Sequence, residues 1–330
     1  MCQYRHLVKN YSEEALRYIA PLALSAKKKV YGDEIFIRGL IEISNICKND
    51  CLYCGIRASN KNCVRYRLTK DEILACCKSG YELGFRTFVL QGGEDMYYTD
   101  KILCDIVSTI KDVYPDCAVT LSMGERSPDS YRKLKNAGAD RYLLRHETAL
   151  KKHYRKLHPK VMEFDNRMKC LETLKTLGYQ TGCGFMVGSP KQSTNCIAKD
   201  LKFIEEFSPQ MCGIGPFIPH KDTPFADFPA GDADFCCYLL AIIRLIKPNI
   251  LLPATTALAT LSEDGRTKAV MCGANVVMPN LSPEDAKKNY NLYNGKKSSG
   301  TEAGEHIEML KKQLLTCDAR IVCNRGDMKG

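Results

Sequence analysis

The stretch IEISNICKNDCLYCGIR, residues 41–57, decides how this chain is read. It sets Cys47, Cys51 and Cys54 in a C-x3-C-x2-C spacing. Directly before them Ile35, Ile37, Ile41 and Ile43 fall on alternate positions, the two-residue period of a strand. Iron–sulfur clusters are held by cysteine thiolates, usually four. A compact set of three therefore leaves one iron of a four-iron cluster without a protein ligand, free to take a small molecule. The competing reading is a structural zinc site with Cys63 as fourth ligand, since no histidine lies nearby.

Working outward, composition narrows the class. A chain of 330 residues with 45% hydrophobic content can bury a large core. The first thirty residues, with Tyr4, Arg5, His6, Glu13 and Glu14, are too polar for a signal peptide, and no apolar run approaches the ~20 residues of a membrane span. The expectation is a soluble, cytoplasmic protein with no membrane partner. The 18 cysteines are scattered and include the adjacent pairs Cys76–Cys77 and Cys236–Cys237. They read as small apolar residues kept reduced, a usage that suits an anaerobe. The net charge of +10 is spread along the chain in short runs such as 27–29, which predicts a solvated surface and no nucleic-acid groove.

The order of elements follows a repeat of apolar run, loop and helix. A helix is expected over 12–29 with Ser12 as cap, and Thr69-Lys-Asp-Glu72 reads as a capping box opening another near Lys70. Strands are expected at 87–91, 118–123, 141–145, 180–186, 211–215, 249–253 and 274–278, which with the first makes eight. Helices between them are punctuated by Ser127-Pro128 and Gly138, by Gly178, and by Asp232 and Pro248. The predicted fold class is α/β, a complete (β/α)8 TIM-type barrel. It forms one domain: an N-terminal helical extension over 1–32, the barrel over 33–280, and a short C-terminal helical closing segment over 281–330.

In such barrels the active site lies at the C-terminal ends of the strands. Polar and glycine residues gather there in this sequence. Gln91-Gly92-Gly93-Glu94 follows the second strand, where two glycines let backbone approach a ligand. Ser122, Gly124 and Glu125 follow the third. Arg141 and Arg145, four residues apart, share one face of the fourth strand, with Glu147 two further on. Buried guanidinium groups need an anion, either a ligand carboxylate or an internal ion pair. Thr255 and Thr256 after the seventh strand suit an anion or cap a helix.

With Tyr53 just before the last cysteine, the triad resembles the signature of the radical S-adenosylmethionine (SAM) superfamily. CLYCGIR (51–57), QGGED (91–95), RYLLRHET (141–148), GIGPFIPH (213–220), PATTA (253–257) and NVVMPN (275–280) more narrowly resemble the HydE family of [FeFe]-hydrogenase maturases, from about Val30 to Tyr293. The resemblance implies that Cys47, Cys51 and Cys54 ligate a [4Fe-4S] cluster. It implies that Tyr53, Gln91, Gly92, Gly93, Glu94, Ser122, Glu147 and Arg167 meet SAM. It assigns a substrate carboxylate to Arg141, Arg145, Thr255, Thr256 and Ala257, and the cavity wall to Met278, Tyr290 and Tyr293, with Arg145 and Glu147 nearest the chemistry.

The implied activity is reductive cleavage of SAM to a deoxyadenosyl radical. That radical acts on a cysteine-bearing iron carbonyl cyanide precursor of the hydrogenase di-iron subcluster, with transient contacts to HydG- and HydF-type maturases and an electron donor. Several members of the family carry three further cysteines near the C-terminus for an accessory cluster. Residues 295–304 have none, and Cys317 and Cys323 lack the spacing, so no accessory cluster is expected. The rival readings are a methylornithine-synthase-like or biotin-synthase-like radical SAM enzyme, and a non-catalytic iron–sulfur or zinc module.

Overall fold

A computed structural model of the chain describes residues 1–296 and 303–330, residues 303 and 306 by backbone only. The apolar run before the cysteines is two strands, β1 (Glu34–Ile37) and β2 (Gly39–Ser44), broken at Arg38. All six residues of β2 are buried, as expected of a parallel strand covered on both faces. The remaining strands are β3 (Thr87–Gly92), β4 (Ala118–Ser122), β5 (Arg141–Leu143), β6 (Gln180–Cys183), β7 (Met186–Val187), β8 (Met211–Cys212), β9 (Gly215–Pro216), β10 (Val276–Val277) and β11 (Arg320–Val322).

Six of these form one parallel sheet in the order β2-β3-β4-β5-β6-β8, with registers such as Leu90 opposite Leu121 and Tyr142 opposite Thr181. The ring closes through parallel bridges of Met211 to Leu251 and Pro253 to Val276, then β10 on β1, then Leu40 to Asn280. The chain is thus a (β/α)8 barrel. The run at 249–253 takes part only by single bridges, because Pro253 has no N–H to donate. The upper ends of the fifth and sixth runs separate as β7 and β9, which pair with each other.

Helices form where the caps direct. Ser12 Oγ accepts from Ala15 N at 3.1 Å at the head of helix Glu13–Tyr31. Thr69 and Glu72 make both bonds of a capping box at the head of Lys70–Glu82, the kind of cap that contributes about 1 kcal/mol. Asp232 Oδ1 accepts from Phe235 N ahead of Ala233–Ile246, most of whose residues are buried. No helix among the described residues is long and apolar enough to cross a membrane.

Two parts of the N-terminal end of the barrel were not expected. Strand β11 adds parallel to β1, with Ile321 opposite Ile35. The residues after it then run under the barrel, where the carbonyl of Arg325 accepts from Thr87 Oγ1 and that of Gly326 from Arg38. Of the stretch 295–304, residues 297–302 lie outside the described residues. Cys317 lies against the carbonyl of Thr267 and Cys323 beside Gly84, on different parts of the surface layer.

Candidate active site

At the C-terminal ends of the strands the barrel holds a cavity of ≈ 340 Å³, lined by Cys47, Cys51, Cys54, Tyr53, Arg145 and Thr255 among others. A larger open groove of ≈ 840 Å³ shares Asn49, Glu94 and Met162 with it and opens beside it.

The cluster loop is held down by its backbone. Leu52 N donates to Leu157 O at 2.9 Å and Gly55 N to Leu292 O at 2.9 Å. Two glycines permit the close approach: a Cβ at Gly93 would stand 2.3 Å from Ile46 O and 2.8 Å from Cys47 Cβ, and one at Gly55 would stand 2.1 Å from Asn291 O. Burial raises the thiols of all three cysteines, that of Cys54 to about 12 and that of Cys51 well above the ordinary range. A ligating thiolate here needs compensating positive charge, which bound iron supplies. Among the described residues no three His, Cys, Asp or Glu side chains converge closely enough for a single metal ion. A four-iron cube spreads its thiolates wider than one ion does, so three thiols lining one cavity would hold a [4Fe-4S] cluster where they would not hold a single ion. Cys63 lies apart from this wall, near Asn45 Nδ2 at 3.5 Å, and completes no four-ligand set.

Beside the thiols the cavity wall contains Gln91, Gly92, Gly93, Glu94, Ser122, Glu147 and Arg167. Gln91 and Ser122 are register partners at the ends of β3 and β4. Glu94 N points at Cys47 Sγ at 3.4 Å. Arg167, in the first turn of helix Phe164–Thr176, donates to Arg145 O at 2.6 Å and pairs with Glu125 at 2.5 Å. Burial disfavours its charge, but the ion pair with the Glu125 carboxylate outweighs that and holds the guanidinium protonated.

A second group of polar atoms is left without partners. Arg145 Nε and Nη2, Glu147 Oε2 and Thr255 Oγ1 are buried without a hydrogen bond. Arg145 Nη2 stands 3.2 Å from Glu147 Oε2, an ion pair too poorly aligned to satisfy either group. Glu147 has φ +62, a backbone state that costs a bulky residue about 1–3 kcal/mol. It is held there by its N–H, which donates to Gly184 O at 3.0 Å, while Gly184 N donates in turn to His146 Nδ1 at 3.3 Å. An orphaned guanidinium and hydroxyl in one cavity, with Thr256 and Ala257, the first residues of helix Thr256–Leu261, alongside, make a socket for an anion.

Two expected substrate residues are elsewhere. Arg141 lies at the opposite end of the strand, 0% exposed, bound by Asp327 at 2.5 Å, Arg325 O at 2.7 Å and Thr87 Oγ1 at 3.0 Å. Four residues of extended chain separate two points by about 13 Å, so Arg141 and Arg145 share a face but not an end. Met278 packs against the interior cluster of Tyr31, Phe36 and Met211, outside the cavity lining. Tyr290 and Tyr293 do line it, and Gln91 Nε2 donates to the Tyr290 hydroxyl at 3.4 Å. Sequence reasoning did not single out Leu143, Met162 or Met186 as wall residues, since single apolar positions bear no signal distinguishing cavity from core. It also passed over His158, 3% exposed, whose Nε2 is 3.2 Å from the Tyr53 hydroxyl.

A barrel of this kind, with three loop cysteines and a glycine turn at one mouth, defines a radical SAM enzyme, and residues 41–204 match the family model described as Radical SAM superfamily. The chain is 48% identical over 275 residues to "[FeFe] hydrogenase maturase subunit HydE" of Thermotoga maritima, covering 83% of this chain and 78% of that one; it belongs to the HydE family. A 3-methylornithine synthase of Methanosarcina acetivorans is 29% identical, with 86% and 79% covered. Among solved structures, methylornithine synthase (PylB) superposes with a TM-score of 0.85 at 25% identity over 97% of this chain and 93% of that one. HydG from Carboxydothermus hydrogenoformans superposes with a TM-score of 0.80 at 19% identity, covering 96% and 74%, a likeness of fold.

Proposed function

We propose that this enzyme acts on a cysteine-bearing iron carbonyl cyanide precursor during assembly of the [FeFe]-hydrogenase di-iron subcluster. The observation that carries the substrate class is the set of orphaned donors in the cavity, Arg145 Nε and Nη2 with Thr255 Oγ1, which await a carboxylate. Cys47, Cys51 and Cys54 would hold the [4Fe-4S] cluster. When bound, cluster and SAM supply one-electron cleavage of the sulfonium to a deoxyadenosyl radical. Gly92, Gly93, Ser122, Glu147 and Arg167 contact SAM, the glycine turn at its amino end, and Tyr53 meets the adenine, with Gln91 and Glu94 flanking. Arg145, Thr255, Thr256 and Ala257 take the substrate carboxylate, while Tyr290 and Tyr293 close the wall and exclude water.

On this reading the protein is a cytoplasmic, single-barrel enzyme without an accessory cluster, handing product between HydG- and HydF-type partners and fed by an electron donor. The test is anaerobic reconstitution. About four irons per chain, a spectral response to SAM, and deoxyadenosine on reduction are expected. Stoichiometric zinc and indifference to SAM would overturn the reading.

A further inference from the structure

Tyr53 stands between two of the cluster cysteines, and it packs, partly buried, against the apolar cluster formed by Leu157, Met186, Phe217 and Phe225. Its hydroxyl lies 3.2 Å from His158 Nε2, with the two rings edge to face, centroids 5.5 Å apart at 89°. The other ring nitrogen, Nδ1, lies 3.0 Å from the carbonyl oxygen of Tyr154. A carbonyl can only accept, so Nδ1 bears the ring proton of the neutral imidazole. Nε2 is then a bare lone pair, and the Tyr53 hydroxyl must donate to it. Burial, helped by the nearby charge of Arg167, lowers His158 to about 3, which keeps this tautomer through the physiological range. Tyr154 stacks on the imidazole at 3.9 Å and 20°, fixing its plane. Leu157 O accepts from Leu52 N at 2.9 Å, so the end of helix Lys151–Leu157 is joined to the cluster loop by adjacent backbone and side-chain bonds.

We propose that His158 is a positioning residue for Tyr53: it engages the phenol hydroxyl outside the cavity and leaves the ring as an apolar surface for the nucleoside. This deepens, and rests on, the reading of Tyr53 as the adenine contact. Without the acceptor, the buried hydroxyl must turn toward the cavity to find a partner, and the ring turns with it.

The test uses reconstituted full-length protein and SAM as the titrant, followed by the optical or EPR shift of the cluster, with iron content measured alongside. His158→Phe should weaken SAM binding about tenfold, the loss expected when one buried hydroxyl loses its acceptor, with iron content unchanged. His158→Gln should restore most of it, because an amide can donate to Tyr154 O and accept from the phenol. In a Tyr53→Phe background, His158→Phe should add nothing further. On cluster-free protein, 15N histidine NMR should show the Nδ1–H tautomer of His158 from pH 5 to 8, a readout independent of activity and of the Phe variant folding. Additive effects of the two substitutions, wild-type affinity in His158→Phe, or the Nε2–H tautomer would each overturn the proposal. Wild-type protein that takes up cluster yet ignores SAM would overturn the functional reading and this inference with it.

Discussion

Arg141 and Arg145 lie on the same strand run, on the same face, four residues apart, and the structure uses them in opposite ways. At the N-terminal end, Arg141 is enclosed by Asp327, Arg325 O, Thr87 and Gln180, with every contact supplied by the chain. At the C-terminal end, Arg145 faces the cavity with two nitrogens unpaired and one ill-aligned carboxylate for company. A buried guanidinium needs anions and acceptors wherever it sits. Where the fold supplies them the arginine is structural, and where it withholds them the supply is left to a ligand. The two ends of the barrel differ in the same sense. At the lower end the C-terminal residues satisfy Arg141 in full and Arg38 in part, its Nε and the Thr120 hydroxyl staying unpaired. At the upper end the unpaired groups gather around one cavity beside the thiols.

The largest expected effect lies at the upper end. Cys51→Ser should reduce deoxyadenosine formation from SAM below detection in reconstituted protein. Cluster-free Cys51→Ser should melt within a few degrees of wild type, because Cys51 makes no contact on which the barrel depends. A variant that still cleaved SAM at the normal rate would detach the chemistry from the loop altogether.

Arg145→Met comes next. It should leave SAM affinity near wild type and weaken binding of a carboxylate-bearing substrate about 30-fold, the low end of the loss when one partner of a desolvated charge pair is removed, because the Arg145 side chain is 34% exposed. Stability should hold or rise, since the guanidinium has few partners to lose. Denaturation showing a large loss would move Arg145 into the structural class and break the comparison.

The lower end should respond the other way round. Asp327→Asn leaves Arg141 buried without its anion. Such a break costs about 3–5 kcal/mol for a fully buried pair, and about 2 kcal/mol is expected here because Asp327 is 38% exposed. Turnover per folded molecule should be unchanged. The pH dependence is a second check. Burial would raise the Asp327 carboxyl, but Arg325, Arg141 and Gln180 overcome it and hold the group at about 2, against 3.8 when free. Its contribution is therefore fully present above pH ~4 and is lost as pH falls toward 2, and the acid limb of the stability curve should flatten in Asp327→Asn.

Much of the upper end was legible because its signals are local. Three cysteines, a double glycine and a threonine turn each fall within a few residues of a strand end, and the barrel rule then brings them together. The caps at Ser12, Thr69 and Asp232 were legible for the same reason. Arg141 was misplaced because period-two alternation fixes the face of a strand and says nothing about height along the barrel. Its partner, Asp327, is 186 residues away, and no local pattern announces such a contact. The strand β11 and the residues under the barrel were missed on the same ground. His158 was passed over because a histidine after a short helix has no distinguishing spacing; its role comes from Tyr53, 105 residues earlier.

The smallest effect would sharpen the comparison most. Glu147 holds φ +62 next to an arginine with which it bonds poorly. Asparagine enters the left-handed region more readily than glutamate, so Glu147→Asn should relieve about 1 kcal/mol of strain and raise the melting temperature of cluster-free protein by one or two degrees. The same substitution removes a carboxylate expected to face SAM, and SAM affinity should fall. A side chain whose removal stabilises the fold and weakens the ligand is one the barrel holds against its own preference, as the unsatisfied end requires. If Glu147→Asn lowers stability instead, the 3.2 Å approach to Arg145 is a working ion pair, and the upper end is partly saturated like the lower.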